Sequence, residues 1–414
     1  MTKADVPRVT PADDETIHRL LDDGRVVQVH VREDVERKLR AGTHLRLKMG
    51  FDPSRPDIHI GHWVGIKKMR QFQELGHTLV VIIGDWTAQI GDPTGRSAQR
   101  TMLSAEEVRA NAETYLEQFF KIIDVDRAEI QWQSSWFGSF NLTEVIRLTA
   151  KYTVAKMLQR EDFAQRYEAG SAIAITELLY PLLQAYDSVA VRADIEFGGT
   201  DQTFNLLVGR DIMREYGMEP QNILTVPLLV GLDGERKMSK SYDNYVGVAE
   251  DPNISFGKLM SVPDQLIEPY LRLVTDVPAA EVDALVAGIG DGTLNPRDVK
   301  DRMAWEIVAE LHGIQAANEA RAEFERVFRA RELPSDMPEH TFGQPATITA
   351  VLLTTGLASS NNEARRLIEQ GGVRLDGQRV LSPDQLVTVT QPTVLQAGRR
   401  RFVRLLPGTE WSDQ

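Results

Sequence analysis

Short apolar stretches alternate with longer amphipathic ones through the first half of the chain. Strands are predicted at residues 44–50, 77–84, 129–134, 194–197 and 223–230, with a helix at 60–75 between the first two. Strands and helices that alternate in this way form a parallel sheet covered by helices, an α/β fold. A ligand site is then expected beyond the carboxyl ends of the strands.

The same patterning divides the rest of the chain into regions. Residues 1–42 are polar and helix-like, 105–170 form a helical insertion, and 251–333 are almost wholly helical. Three prolines within 334–345 are typical of a linker. The predicted architecture is an arm (1–42), a sheet domain with the insertion (43–250), a helical domain (251–333), a linker (334–345) and a small α+β domain (346–414).

Three aromatic residues, Trp136, Phe137 and Phe140, precede an apolar stretch at 142–148. Aromatic residues dominate packed cores, but they are also enriched at subunit interfaces. From the sequence, both interpretations of this cluster stay open.

Composition supports several domains and limits the kinds of site. The chain has 414 residues, more than the roughly 250 to 300 at which single cores stop growing. It contains no cysteine, which excludes disulfides and thiolate zinc sites, and no structural metal is expected. The net charge is −13, yet residues 346–414 hold eight arginines against six acidic residues. A polyanionic partner would therefore need this local basic surface.

The apolar stretches are too short for a membrane helix, which requires roughly 20 residues. Asp13, Asp14 and Glu15 stand where a secretory signal would be apolar. A cytoplasmic location is expected.

Residues 50–62, GFDPSRPDIHIGH, follow a predicted strand and lead into a predicted helix. Such a junction presents free backbone N–H groups and the positive end of a helix to an anion. His59 and His62 fall on one face of the first turn, and Gly61 lets a nucleotide approach the backbone closely. The segment fits a triphosphate site, although an HxxH pair alone is more often a metal half-site or no site.

A second candidate, GLDGERKMSKS at 231–241, follows the last predicted strand. Lys237, Lys240 and Ser241 on this loop fit the stabilisation of a leaving pyrophosphate. A short basic cluster by itself is usually a solvated loop. The two segments in this order, each at a strand end, resemble the HIGH and KMSKS signatures of class I aminoacyl-tRNA synthetases.

The resemblance implies a Rossmann-like catalytic domain that binds ATP. It places Ser54 and His59 at the terminal phosphates, Asp52 and His62 at the nucleotide, and Lys240 at the leaving pyrophosphate. Catalysis of this kind works by positioning and charge stabilisation, so a nucleophilic triad is not needed.

The segment between the signatures resembles the tyrosyl branch of this family. Tyr180, Gln184 and Asp187 have the spacing of its Y-x3-Q-x2-D helix. A purely buried stripe would not include Gln and Asp. The resemblance implies that Tyr180 and Gln184 bind the α-amino group of tyrosine and that Asp187 binds the phenol hydroxyl. Phenylalanine would leave this buried acceptor unpaired, which costs binding energy.

The string FGGTDQ at 197–202 is similar to the GG-x-DQ loop of the family. By this resemblance, Gly199 and Asp201 hold the ATP ribose. Gln202 is implied to bind the carboxylate of the amino acid.

Residues 84–100 match a further loop of the family. The resemblance implies that Thr87 and Asp92 line the amino-acid pocket, and that Arg96 and Arg100 lie on a mobile segment that contacts the leaving pyrophosphate. Either arginine can also be interpreted as ordinary surface charge.

Lys48 departs from the family pattern. Many tyrosyl enzymes have a tyrosine at this position, two residues before the Gly of GFDP, and it also binds the phenol hydroxyl. Recognition of the hydroxyl is then expected to depend on Asp187 with a different second partner. Lys48 and the KMSKS form of the loop together indicate a second bacterial subgroup.

Residues 359–380 resemble the S4 RNA-binding module. Arg365 and Arg366 on its helix, and Arg374 and Arg379 on its hairpin, are expected to contact tRNA phosphates. A single charged side chain on such a face is as often simply solvated.

The resemblance implies activation of L-tyrosine with ATP, then transfer of the tyrosyl group to the 3′-terminal ribose of tRNA(Tyr). Mg²⁺ is expected to arrive with ATP, and the family implies a homodimer. The tryptophanyl branch is the nearest alternative, disfavoured by Gln184 and Asp187. A nucleotidylyltransferase would have no use for the S4-like region. A non-catalytic RNA-binding paralogue would be expected to have lost some phosphate-binding residues.

Overall fold

The structure is a computed structural model that describes residues 9–53, 58–92, 103–328, 337–398 and 401–408. The chain forms two compact units, Met1–Arg321 and Ala322–Gln414. Among the described residues, no helix is both long and apolar enough to cross a membrane.

The first unit is built on a six-stranded sheet. Its strands are β1 (Gln28–His30), β2 (Arg46–Phe51), β3 (Thr78–Ile83), β4 (Ala128–Trp132), β5 (Ile195–Gly199) and β6 (Asn222–Val226). Their order is β1-β6-β5-β2-β3-β4, in which β2 to β6 run parallel and β1 is antiparallel to β6. The predicted parallel sheet is confirmed. Strands buried on both faces read as continuous apolar runs, and residues 79–83 of β3 are all buried.

The edge strand β1 was not predicted, because residues 1–42 were expected to be helical. It has only three residues, all exposed or half-buried, so the apolar pattern carries no signal there. Val29 pairs with Leu224 of β6, so part of the polar arm extends the sheet.

Helices cover the sheet and, apart from β4, form most of residues 105–170. They are α1 (Asp14–Leu21), α2 (Arg32–Arg40), α3 (Ile60–Glu74), α4 (Thr87–Ile90), α5 (Ala105–Phe119), α6 (Ser134–Phe137), α7 (Leu142–Thr149), α8 (Val154–Met157), α9 (Glu161–Glu168), α10 (Ile175–Val191) and α11 (Thr203–Glu215). Trp63 and Phe72 of α3 are fully buried, so this helix is held firmly against the sheet. The N-cap residue His59 and the first turn of α3 are thereby held in place.

A helical region follows the sheet. Its members are α12 (Pro252–Leu259), α13 (Ile267–Val274), α14 (Ala279–Gly290), α15 (Pro296–His312) and α16 (Ile314–Phe328). Pro296 begins α15, and the preceding Asn295 side chain accepts a hydrogen bond from the Arg297 N–H. Proline is favoured at this first position because its missing N–H would have no helical partner there.

The second unit contains a small α+β domain. Its elements are β7 (Glu339–Phe342), β8 (Ala346–Thr347), α17 (Ile348–Thr354), α18 (Asn361–Glu369), β9 (Val373–Leu375), β10 (Gln378–Arg379), β11 (Leu386–Val387), β12 (Thr393–Ala397) and β13 (Arg401–Pro407). Five strands form a sheet in the order β10-β9-β12-β13-β7, and β8 pairs with β11. The β9–β10 turn has positive φ at Asp376 and Gly377, as a two-residue hairpin turn requires.

Candidate active site

A cleft of about 340 Å³ opens at the carboxyl edge of the first unit's sheet. The loops after β2, β3, β5 and β6 converge there because parallel strands end at the same edge. The site residues predicted from the sequence that line it are Asp52, His59, Gly61, His62, Thr87, Asp92, Tyr180, Gln184, Asp187, Gly199, Asp201, Gln202, Lys237, Lys240 and Ser241. Ser54, Arg96 and Arg100 lie outside the described residues.

The two signature histidines are stacked at the start of α3, with ring centroids 3.9 Å apart. Burial, together with the nearby Lys240 charge, lowers the pKa of His62 to about 3. Burial and the neighbouring His62 hold the pKa of His59 well below its usual value. Both rings are therefore neutral near pH 7, and they can offer hydrogen bonds rather than charge.

The first turn of α3 also explains the glycine between the histidines. A Cβ atom at Gly61 would lie 2.9 Å from His59 Nδ1, so a larger residue would displace that ring. Within the described residues, the buried His59 Nδ1 has no hydrogen-bond partner. A buried nitrogen without a partner is costly, so this atom is suited to a ligand in the cleft.

The second signature forms a short 3₁₀ turn, Lys240–Tyr242, at the rim of the cleft. Lys237 Nζ lies 2.5 Å from Asp201 Oδ2, which joins this loop to the loop after β5. Lys240 Nζ donates to Tyr115 Oη at 2.7 Å and lies 4.6 Å from the centre of the Tyr115 ring. Tyr115 was not predicted as a site residue, because it is a single aromatic residue on an ordinary amphipathic helix.

A hydrogen-bond chain joins the end of β2 to α10. Tyr180 Oη donates to Asp52 Oδ2 at 2.8 Å, and Thr87 Oγ1 donates to Asp52 Oδ1 at 2.7 Å. Burial, reinforced by the Asp52 charge, raises the pKa of the Tyr180 phenol well above its usual value. Asp52 was expected beside the nucleotide, and these contacts put it against the predicted amino-acid pocket.

Asp187 lies fully buried on the pocket face of α10. Gln133 Nε2 donates to its Oδ2 at 2.8 Å, and Trp136 Nε1 donates to its Oδ1 at 3.2 Å. Burial raises the pKa of Asp187 to about 7, against the opposing charge of Lys48. Near neutral pH, the carboxyl group is therefore present in both its protonated and its ionised form.

Gln133 and Trp136 were not predicted as site residues. Trp136 belongs to the aromatic cluster interpreted as core or interface, and its indole ring also packs beside buried Val80 and Ile82. Gln133 directly follows β4. A polar residue at the carboxyl end of a parallel strand is a sequence signal that could have identified it as a site residue.

A further chain of amides lies on the β5 side of the cleft. Gln202 Nε2 donates to Asp92 Oδ2 at 2.8 Å, and Asn205 Nδ2 donates to Gln202 Oε1 at 2.9 Å. A Cβ atom at Gly199 would lie 2.7 Å from Asp201 Oδ1, so the close approach of this loop requires glycine. The predicted residues of both family-like loops therefore meet in one place.

Lys48 does not line the cleft. Its side chain is fully buried, and its ammonium pairs with Glu196 Oε1 at 2.7 Å. The partners of the Asp187 carboxylate are Gln133 and Trp136 instead.

The four arginines predicted to bind RNA are exposed in the second unit. Arg365 and Arg366 project from α18, whereas Arg374 and Arg379 lie on the β9–β10 hairpin. A Cβ atom at Gly371 would meet the Arg379 guanidinium, so the hairpin arginine lies against the end of the α18 segment. Arg379 of the hairpin is therefore close to the residues that follow α18.

Within the described residues, no group of three or more His, Asp or Glu side chains is arranged to hold a metal ion. The donors in the cleft include amides, hydroxyls, neutral imidazoles and two lysines, and its acceptors include carboxylates. Such a set suits a substrate with both phosphate and amino-acid groups.

A parallel sheet with HIGH and KMSKS at one edge, and a buried polar pocket between them, defines the catalytic domain of a class I aminoacyl-tRNA synthetase. The family model for class I tRNA synthetases (W and Y) matches residues 40–329, and the S4 domain model matches 349–391. The tyrosine–tRNA ligase of Dehalococcoides mccartyi is 54% identical to the chain, covering 92% of it and 96% of that protein. The tyrosine–tRNA ligase of Thermotoga maritima is 48% identical, with 92% and 96% covered. The chain belongs to the tyrosine–tRNA ligase family.

Solved structures give the same fold. The tyrosyl-tRNA synthetase of Archaeoglobus fulgidus complexed with L-tyrosine has a TM-score of 0.61 at 22% identity, covering 74% of this chain and 99% of that one. A truncated mitochondrial tyrosyl-tRNA synthetase of Coccidioides posadasii has a TM-score of 0.61 at 23% identity, covering 75% and 92%. The predicted fold class and family are thereby confirmed.

Proposed function

We propose that this chain attaches L-tyrosine to tRNA(Tyr) in two steps, with ATP as the energy source. The observation that carries the proposal is that one cleft is lined both by Lys240 with the two signature histidines and by the buried Asp187 carboxyl group. The nearest alternative within the family model is the tryptophanyl enzyme. The curated relatives and the Asp187 acceptor favour tyrosine.

In the first step, a carboxylate oxygen of tyrosine attacks the α-phosphorus of ATP. The bond from that phosphorus to the bridging oxygen breaks, and pyrophosphate leaves with its negative charge. Neutral His59 and His62 donate hydrogen bonds to the phosphates, while Lys237 and Lys240 stabilise the developing charge. Ser54, Arg96 and Arg100 take part in the same task under this proposal.

Tyrosine selection depends on the other half of the cleft. The phenol hydroxyl bonds Asp187, the α-amino group contacts Tyr180 and Gln184, and the carboxylate lies by Gln202. Thr87 and Asp92 line the pocket, and Gly199 and Asp201 hold the ATP ribose. Phenylalanine brings no hydroxyl to Asp187, so the substrate hydrogen bond is lost while the carboxyl group stays buried, at a cost of roughly 1–3 kcal/mol.

In the second step, a terminal ribose hydroxyl of tRNA attacks the tyrosyl carbonyl carbon, and AMP leaves. The tRNA phosphates are bound by Arg365, Arg366, Arg374 and Arg379, since exposed arginines supply sequence-independent affinity for a phosphate backbone. The negative charge of the chain as a whole restricts this contact to the basic face.

Mg²⁺ enters as part of the substrate, bound to the ATP phosphates. Under this proposal, the enzyme acts in the cytoplasm and is a homodimer. The insertion exposes apolar side chains on α7, among them Leu142 at 73% and Ile146 at 57%, and an exposed apolar patch of this kind favours a protein interface.

The test of the activity is ATP–pyrophosphate exchange with each of the twenty amino acids. Exchange with tyrosine alone is the expected result. Exchange with tryptophan and not with tyrosine would show that the protein is a tryptophanyl enzyme instead. Exchange with neither, in a folded protein, would refute the proposal.

A further inference from the structure

The ion pair of Lys48 lies directly beneath the amino-acid pocket. The Lys48 side chain is 0% exposed and that of Glu196 is 2% exposed, and their charged atoms are 2.7 Å apart. The two residues face each other across neighbouring strands β2 and β5. A buried charge is costly unless it is paired and hydrogen-bonded, so this pair must be well satisfied to persist.

The remaining N–H groups of Lys48 are bound by α10. Its Nζ atom donates to the Gln184 carbonyl oxygen at 2.9 Å and to Ser188 Oγ at 2.9 Å. An ammonium group has three N–H donors, and with Glu196 all three are used. Lys48 therefore has no N–H available for a phenol hydroxyl. It joins both ends of the helical turn that carries Asp187.

Glu196 completes the network from the other side. Its Oε1 lies 3.4 Å from the Gln184 amide nitrogen, and its Oε2 accepts from Ser188 Oγ at 3.2 Å and from the Gln221 amide. A Cβ atom at Gly209 of α11 would lie 2.6 Å from the Gln221 amide nitrogen, so glycine is needed for this approach. The network connects two strands to the turn at 184–188.

We propose that Lys48 is a positioning residue for tyrosine selection, tying the 184–188 turn of α10 to β2 and β5 and placing a fixed positive charge beside the Asp187 carboxylate. The turn carries both Gln184 and Asp187, so its position sets where the pocket meets the amino and phenol groups of the substrate. The charge also opposes the rise in the Asp187 pKa caused by burial. This inference rests on the proposed tyrosine activation.

The experiment removes both charges together, with Lys48→Met and Glu196→Gln in one variant, because either change alone leaves an unpaired buried charge. The KM for tyrosine in pyrophosphate exchange should rise about tenfold, and the preference for tyrosine over phenylalanine should fall by a similar factor. The KM for ATP should stay within about twofold, because the network contacts neither signature.

Lys68→Met is the matched control. Lys68 is equally buried, on α3, and pairs with Asp23 at 2.8 Å. Its removal should lower thermal stability and leave the tyrosine preference unchanged. An equal loss of preference in this control would show a general effect of lost stability and overturn the proposal, as would an unchanged tyrosine KM in the double variant.

A milder change keeps the test available if the double variant does not fold. Ser188→Ala deletes one acceptor of Lys48 and keeps both charges, and the tyrosine KM should rise about twofold to threefold. A tyrosine KM equal to that of the unmodified protein would contradict the proposal. The unmodified protein is measured in parallel, and its failure to exchange with tyrosine would instead refute the proposed function.

Discussion

The charge of Asp187 is determined by its surroundings. Its carboxyl group receives hydrogen bonds from Gln133 and Trp136, and it lies near the charges of Lys48 and Glu196. Burial is the largest influence and raises its pKa to about 7. The strength of the hydrogen bond from the substrate phenol to Asp187 should therefore change with pH near 7.

We expect kcat/KM for tyrosine to increase from pH 6 to pH 8, with a midpoint near 7, because the ionised carboxylate is the stronger acceptor. The histidines do not titrate there, since the pKa of His62 is about 3 and that of His59 is also strongly lowered. The pH profile of tyrosine-dependent exchange measures this. Asp187→Asn should flatten the profile, and an unchanged midpoint in that variant would assign it to another group.

The same titration affects stability with a definite sign. The pKa of Asp187 is raised in the folded protein, so between about pH 4 and 7 the folded state holds a proton that the unfolded chain releases. Its contribution to the free energy of unfolding is largest below about pH 4 and is lost as the pH rises to about 7. Urea denaturation across this range, compared with Asp187→Asn, would measure the contribution.

At the scale of elements, the KMSKS loop is held at both of its lysines. Lys237 contacts Asp201 of the loop after β5, and Lys240 contacts Tyr115 of α5. A triphosphate can replace the Asp201 carboxylate and the Tyr115 hydroxyl as the partners of these two lysines. The loop is thus placed at the rim of the cleft before the substrate binds.

Lys240→Ala should lower kcat for pyrophosphate exchange by about 10²–10³, as the loss of a charge-stabilising donor does in other enzymes. Tyrosine binding, measured by equilibrium dialysis, should stay unchanged because Lys240 bonds Tyr115 of α5, which is not one of the predicted tyrosine-binding residues. Lys258→Ala is a suitable control, since Lys258 of α12 pairs with Glu250 and does not line the cleft. Normal exchange by the Lys240 variant would remove Lys240 from the mechanism.

The elements also differ in how well their patterns predict them. Residues 79–83 of β3 and all of β6 are buried, and both strands were predicted from apolar runs. β1 has only Val29 as an apolar residue between Gln28 and His30, and it forms a strand because β6 offers it an edge. The buried strands β3 and β6 can be predicted from local sequence, whereas β1 depends on pairing with a strand that is distant in sequence.

At the scale of the whole molecule, residues 346–414 carry a small net positive charge, whereas the chain as a whole carries −13. Replacing Arg365, Arg366, Arg374 and Arg379 together with alanine should raise the KM for tRNA about tenfold or more and reduce its salt dependence. Tyrosine-dependent exchange should be unaffected, because exchange does not involve tRNA. Arg404→Ala is the control, since Arg404 already pairs with Glu339 in the same unit. Equal tRNA affinity in the quadruple variant would rule out this surface.

The exposed apolar face of α7 provides the second test at this scale. Leu142→Glu with Ile146→Glu should convert the proposed dimer to a monomer, because burying two unpaired carboxylates at an interface is unfavourable. Light scattering after size exclusion measures the mass. Ile254→Glu, at another exposed apolar position on α12, should leave it unchanged. A monomer in the unmodified protein would refute the dimer directly.

The sequence by itself determined the class of protein and the central sheet, and it predicted the residues around the cleft. HIGH, KMSKS and the Tyr180 to Asp187 segment are local strings, in which adjacent residues carry the chemistry. Continuous apolar strands are equally local, since burial on both faces leaves a run that can be seen in a single segment.

The tertiary structure decided which side chains are partners. Lys48 and Gln184 are 136 positions apart, and Tyr180 and Asp52 are 128 apart, so no local pattern links them. Their contacts depend on the strand order β5-β2-β3, which brings distant segments side by side. Burial in that arrangement then sets the charge of Asp187 and commits the Lys48 ammonium to Glu196, because a buried ion must find its partners within reach.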